Sequence, residues 1–262
     1  MPKPIAQICW FFILACAFTW VGNLGNWLWP SDLWLTPMNP LGPIIAAPIA
    51  IWWAQGRAGV WAWLRRIVRF RAPVRVYAWA FCGPLVIILA SFWLTVAAGA
   101  RTAPMPAIDA GQWLLVLPIV LIAGPLPEEL SFRGYGLETL QDSMSPLAAS
   151  LWIGAGVMIW HLPLLMTGDL PLTVLLPLAG VAVVYGWLYQ TGRSVWPLVL
   201  LHGQLNFVSG AFTSVMLPEP SAQAAYLAFL GLFYILWAAA LVAIFGPSLG
   251  RGRHRRTQPL PV

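Results

Sequence analysis

The sequence predicts an all-α fold: a polytopic bundle of about eight transmembrane helices. Three observations carry this prediction. Of 262 residues, 60% are hydrophobic and only 8% are charged, against about 25% charged in an ordinary soluble domain. The mean hydropathy is +0.78. The apolar residues also fall in runs of about 20, the length that crosses a bilayer core as a helix. A chain of this kind cannot cover a water-facing surface, which excludes soluble folds from the outset.

The first run, 5–29, contains Ile13-Leu14-Ala15-Cys16, which resembles a lipoprotein cleavage site. The run continues past Cys16 to Trp29 with no polar linker, so it reads as a retained helix. A second span is expected at 41–56. Residues 57–75 then read as an amphipathic helix lying on the membrane surface, with Trp and Ile on one side and Arg65, Arg66, Arg69, Arg71 and Arg75 on the other. Further spans are expected at 76–99, 112–138, 146–166, 171–190, 195–216 and 223–246. A basic tail follows, with Arg251, Arg253, Arg255 and Arg256, and His254 within the same patch. The 17 Trp fit interfacial belts and packing. Cys9, Cys16 and Cys82 are isolated in apolar runs, without the spacing of a disulfide framework or a metal knuckle.

The net charge of +6 raises the question of nucleic acid, and the positions of the basic residues answer it. They flank apolar runs, and no nucleic-acid module is visible. With an even number of spans both termini share one side. Placing them in the cytoplasm puts Lys3, the 57–75 cluster, Arg193 and the tail inside and leaves Arg101 in an external loop, as the positive-inside rule requires. The organisation reads as helices 1–3 with the basic loop (1–110), a core of helices 4–7 (111–215), and a last helix with its tail (216–262).

Against this background a few residues stand out. Glu128 and Glu129 are adjacent in LIAGPLPEELSFRGYG, and Arg133 follows within the same span. A charge at a helix centre costs about 2.5–3.5 kcal/mol on insertion scales, so an intramembrane charge is a functional-site hypothesis by default. Glu129 and Arg133 are four apart and can pair on one helix face. Glu128 is rotated about 100° away and is left for another task. Pro125 and Pro127 remove backbone donors and predict a kink just upstream. His161 and His202 also lie in apolar runs, and Asn206 follows His202 by four on the same face.

These groups supply the parts of a hydrolytic site. A carboxylate and an imidazole can activate water, and His-x-x-x-Asn presents two donors to a developing oxyanion. Glu128, His161 and His202 could instead hold a divalent metal such as zinc. A helical H-E-x-x-H and a Ser or Cys nucleophile signature are both absent. Counting along straight helices at about 1.5 Å per residue places Glu128 and His202 at similar depth and His161 roughly 10 Å deeper.

At these residues the chain resembles the CPBP family, the CAAX-protease and bacteriocin-processing intramembrane proteases, also called the Abi family. The family pattern E-E-x-x-x-R is matched by Glu128-Glu129-Leu130-Ser131-Phe132-Arg133 and continues into Gly134-Tyr135-Gly136. F-x-x-x-H is matched at His161, with Val157 in place of the Phe. H-x-x-x-N/D is matched by His202 and Asn206. The motif-bearing region covers about 112–210. Thr19-Trp20, Leu41-Gly42-Pro43 and Gly56-Arg57 before an Arg-rich loop are similar to bacterial relatives in style.

The resemblance implies a membrane-embedded endopeptidase acting on a peptide or protein substrate. It implies Glu128 as the water-activating base assisted by His161, His202 and Asn206 as the oxyanion site, and Glu129 with Arg133 as a supporting pair. The composition points to a bacterial cytoplasmic membrane. No cofactor is expected, with a zinc-dependent version of the same enzyme as the alternative. A non-catalytic scaffold or immunity-type protein is the rival from another class, and a proton-coupled transporter is disfavoured because no inverted repeat is apparent.

Overall fold

A computed structural model describes residues 3–28, 40–104 and 109–251. Among these residues the chain is helical and forms eight rods. They are α1 (Pro4–Leu28), α2 (Gly42–Ile67), α3 (Val74–Ala97), the interrupted α4 (110–140), α5 (Pro146–Trp160), α6 (Leu175–Gly192), the composite α7 (196–216) and α8 (Pro220–Phe245). Five segments are long and apolar enough to cross a membrane: Pro4–Val21, Val74–Ala97, Leu114–Leu140, Leu172–Gly192 and Pro220–Ser248. The other three rods fall short of that measure. α5 is apolar but has only 15 residues, α2 carries the arginines, and α7 is split between helix types.

Two boundaries differ from the sequence expectation. α2 runs to Ile67 with a break at Gly56 (φ 66, ψ −166), a conformation open essentially only to glycine. Only 57–67 of the expected surface helix is therefore helical. Residues 68–73 leave it, because Pro73 sets an extended backbone at the start of α3. The expected 146–166 span stops at Trp160. His161 caps it, and the short helix Leu162–Thr167 follows after the turn. The basic tail beyond Arg251, with His254, lies outside the described residues.

α6 is the centre of the bundle, buried along most of its length and held between α5 and α8. Small residues set that spacing, as packing between membrane helices requires. A Cβ on Gly186 would lie 1.9 Å from Ser150 Oγ in α5, and one on Gly180 would lie 2.5 Å from the backbone of Tyr234 in α8. Away from α6, Phe11 and Phe132 pack at 5.8 Å and Phe132 and Trp160 at 5.6 Å, joining α1, α4 and α5. The opposite kind of surface covers the first half of α4, where Leu114, Leu115 and Ile119 are exposed and suited to lipid.

Candidate active site

The local sequence of α4 explains where its polar groups sit. The helix Ala110–Ile122 ends at Ala123, and Gly124 (φ −160, ψ −79) turns the chain before Pro125 opens a new segment. The kink thus falls just before the two prolines. At the first turn of a helix a missing N–H leaves nothing unsatisfied. Residues Glu129–Leu137 then continue as a π-helix, the wide form that recurs at functional sites. Ser131 Oγ donates to the carbonyl of Pro127 at 2.7 Å.

Glu129 is fully buried and serves as a hub. Its Oε1 accepts from Arg133 Nη1 at 3.0 Å and meets His202 Nδ1 at 2.9 Å. Sequence spacing gives the first contact and not the second, which joins α4 to α7. The Arg133 guanidinium also lies 4.3 Å from the ring centre of Tyr185 in α6, a favourable cation–π distance. Glu129 Oε2 is buried without a partner among the described residues.

Glu128 is 6% exposed, and its carboxyl makes no hydrogen bond among the described residues. It is therefore placed for another task. A Cβ built on Gly124 would lie 2.9 Å from Asn206 Nδ2 and 3.5 Å from Glu128 Oε1, so these two groups converge over a bare stretch of backbone. The glycine keeps that space open. Trp196–Gln204 carries His202, and the π-helix Leu205–Thr213 carries Asn206.

His161 ends α5, and its Nδ1 lies 2.8 Å from the carbonyl oxygen of Val157. A carbonyl can only accept, so Nδ1 carries the proton and Nε2 is the free nitrogen of the neutral ring. The position four before His161, where the family pattern has Phe, thus supplies a backbone acceptor whatever its side chain. The neighbouring Trp160 is anchored from α1. Its Nε1 donates to Thr19 Oγ1 at 2.8 Å, and Trp20 Nε1 donates to the Trp160 carbonyl at 3.0 Å.

Glu128, Arg133, His161, His202 and Asn206 line one cavity of about 350 Å³, a volume within the range of ligand sites. The depth mismatch expected for His161 does not keep it out of this cavity. The straight-rod count assumed a helix ending at 138, whereas α4 runs to Leu140 and breaks at Gly124. Glu129 stands behind the cavity, supporting Arg133 and His202. Tyr185 and Ser209 line the cavity as well. Neither carries a motif that sequence could flag. The Thr19-Trp20 pair was visible as a similarity of style, without any hint of its contact with Trp160.

Among the described residues no group of three His, Cys, Asp or Glu is placed to hold one metal ion. Both histidines nonetheless have Nδ1 engaged by an acceptor, the support that metal-binding imidazoles also use. The acceptors are Glu129, on another helix from His202, and the Val157 carbonyl, one turn before His161.

A search of curated proteins gives no match to the chain. Residues 110–208 match the family model described as type II CAAX prenyl endopeptidase Rce1-like. The match spans α4 to the middle of α7, the segment that contains Glu128, Arg133, His161, Tyr185, His202 and Asn206 of the cavity. Over that segment the chain is similar to the CAAX-protease, or CPBP, family of membrane peptidases.

Proposed function

We propose that the protein is an intramembrane endopeptidase in which Glu128 activates water for attack on a peptide bond. The observation that carries this reading is the unengaged carboxyl of Glu128 beside Asn206, in the cavity shared with His161 and His202. In the proposed reaction the Glu128 carboxylate takes a proton as the water oxygen bonds to the scissile carbonyl carbon. His161 Nε2 accepts the water's other hydrogen in a hydrogen bond and fixes its orientation. The carbonyl oxygen, now an anion, receives hydrogen bonds from Asn206 Nδ2 and His202 Nε2. Breaking the C–N bond returns the proton from Glu128 to the departing amine. Donation from His202 Nε2 while Nδ1 faces Glu129 requires the imidazolium form, whose charge Glu129 balances. Arg133 and Glu129 thereby act as a positioning pair.

We place the protein in a bacterial cytoplasmic membrane with both termini inside, supported by the flanking arginines. The reaction as proposed uses no cofactor. The paired Nδ1 contacts suit a metal-dependent version too, and the lack of a converging ligand set among the described residues weighs against it. Glu128→Gln keeps size and hydrogen bonding while removing the base. It should abolish cleavage, with folded protein at wild-type abundance, in proteomics of cleaved peptides from matched cells. Full activity in that variant would refute the catalytic role and favour a scaffold.

A further inference from the structure

The two ends of the bundle differ in charge, and the catalytic cavity is closed toward one of them. At one end, contacts tie together the loops bearing arginine. Arg193 Nη2 pairs with Glu138 Oε1 at 2.9 Å, Arg251 Nη1 donates to the Gln141 carbonyl at 3.1 Å, and Ser194 Oγ donates to the Arg69 carbonyl at 2.8 Å. The ends of α4, α6 and α8 therefore meet the 57–75 segment on one face. The far end is likewise tied, through Ala103 N donating to the Met216 carbonyl at 2.9 Å. The described charges there are Arg101, Asp109, Asp169 and Glu219.

The cavity's lining places its opening. Tyr185, Arg133 and Glu128 form a buried floor on the arginine-bearing side. From that floor the walls run to Pro171, Val174 and Leu178, in the loop and first turns leading into α6, and to Leu227 near the start of α8. Pro171, Asn206 and Gly210 are exposed, and Val174 and Leu178 are half-buried. Val174 lies 18 residues before the far end of α6, about 27 Å at the α-helical rise. The mouth is thus at the end away from the basic loops. Its walls are Leu, Val and Pro, while the polar groups cluster at the floor.

From the charge asymmetry and this one-sided opening we infer that substrate enters from the non-cytoplasmic face, as an extended apolar stretch of a membrane polypeptide near that boundary. The inference rests on the peptidase reading for what happens at the floor, and on the positive-inside rule for which face is which. The apolar walls receive the substrate's side chains, and the floor receives its peptide backbone. Basic loops at the cytoplasmic surface take no part in entry.

Thiol labelling tests access independently of cleavage. In a chain with Cys9, Cys16 and Cys82 replaced by alanine, Val174→Cys and Leu178→Cys should react with a sulfonated maleimide in spheroplasts and lose that reaction in sealed inverted vesicles. Val68→Cys, exposed in the basic loop, should do the reverse. Labelling of Val174→Cys and Leu178→Cys from the cytoplasmic side, or from neither, overturns the inference. Glu128→Gln should leave the pattern unchanged. A second readout addresses the substrate: one apolar segment is fused at the outer or the inner boundary of a membrane anchor. Cleavage of the outer placement alone, lost in Glu128→Gln, is expected. Cleavage of the inner placement sinks the proposal about entry while leaving the peptidase reading standing. Cleavage of neither, with Val174→Cys labelled from outside, sinks the proposed substrate class.

Discussion

Replacing Arg133 by alanine tests whether the buried pair supports the site. The side chains of Arg133 and Glu129 are 5% and 0% exposed, and their contact is 3.0 Å. Removing the guanidinium leaves a carboxylate with water excluded, one oxygen facing only His202 and the other without a partner. Stranding one half of a buried pair costs about 3–5 kcal/mol. The contact with Tyr185 is lost as well, and a desolvated cation–π contact is worth about 2 kcal/mol. These effects are not additive, so about 3–5 kcal/mol is the working figure. That is two to nearly four powers of ten in the folding equilibrium, at about 1.4 kcal/mol per factor of ten. The assay is the yield and thermal midpoint of detergent-solubilised protein by fluorescence-detected size exclusion. Arg133→Ala should fall sharply in both. The double variant Glu129→Gln with Arg133→Met, which removes both charges, should recover part of the loss. An Arg133→Ala protein with wild-type yield and midpoint would refute the idea that this pair holds Glu129 in place.

Other expectations follow from single contacts. Gly124→Ala puts a methyl 2.9 Å from Asn206 Nδ2 and should lower cleavage severely with little change in thermal midpoint. Thr19→Val removes the acceptor of the buried Trp160 indole; the orphaned N–H should cost about 1–3 kcal/mol, read as a lower midpoint together with reduced cleavage, since His161 is the next residue. Dialysis of purified protein against a strong chelator should leave its cleavage rate unchanged. Loss of activity restored by stoichiometric zinc would instead assign the metal-dependent mechanism.

Much of the fold was legible because lipid imposes simple demands. Runs of about 20 apolar residues mark the helices, and the arginine-bearing loops gather at one end of the bundle. The residues that share the cavity stood out in the sequence for the same reason, since a charge in an apolar run has few innocent explanations. Contacts between helices were less accessible. Spacing gives Glu129 with Arg133 because both lie on one helix face. It says nothing about His202 reaching Glu129 from α7, or about Trp160 reaching α1, since those depend on how helices cross. The depth count for His161 could not say whether it reaches the cavity, for a related reason. Counting residues assumes straight α-helices, and α4 is interrupted at Gly124 and continues as a π-helix.

That π-helix, Glu129–Leu137, and its counterpart Leu205–Thr213 make the site sensitive to chain length as well as to composition. Each lies where the polar residues of one helix must be aligned with those of another. Hydrogen bonds from i to i+5 hold an extra residue in the turn, and an α-helix advances about 100° per residue. Deleting one residue between Arg133 and Leu137 would let the segment close to α geometry. Everything beyond it, including the Glu138 contact with Tyr189 and Arg193, would keep its phase relative to Glu128, while the residues inside the wide turn, Arg133 among them, would shift around the helix. Substitutions at these positions can be absorbed one side chain at a time. A deletion moves every residue inside the wide turn at once.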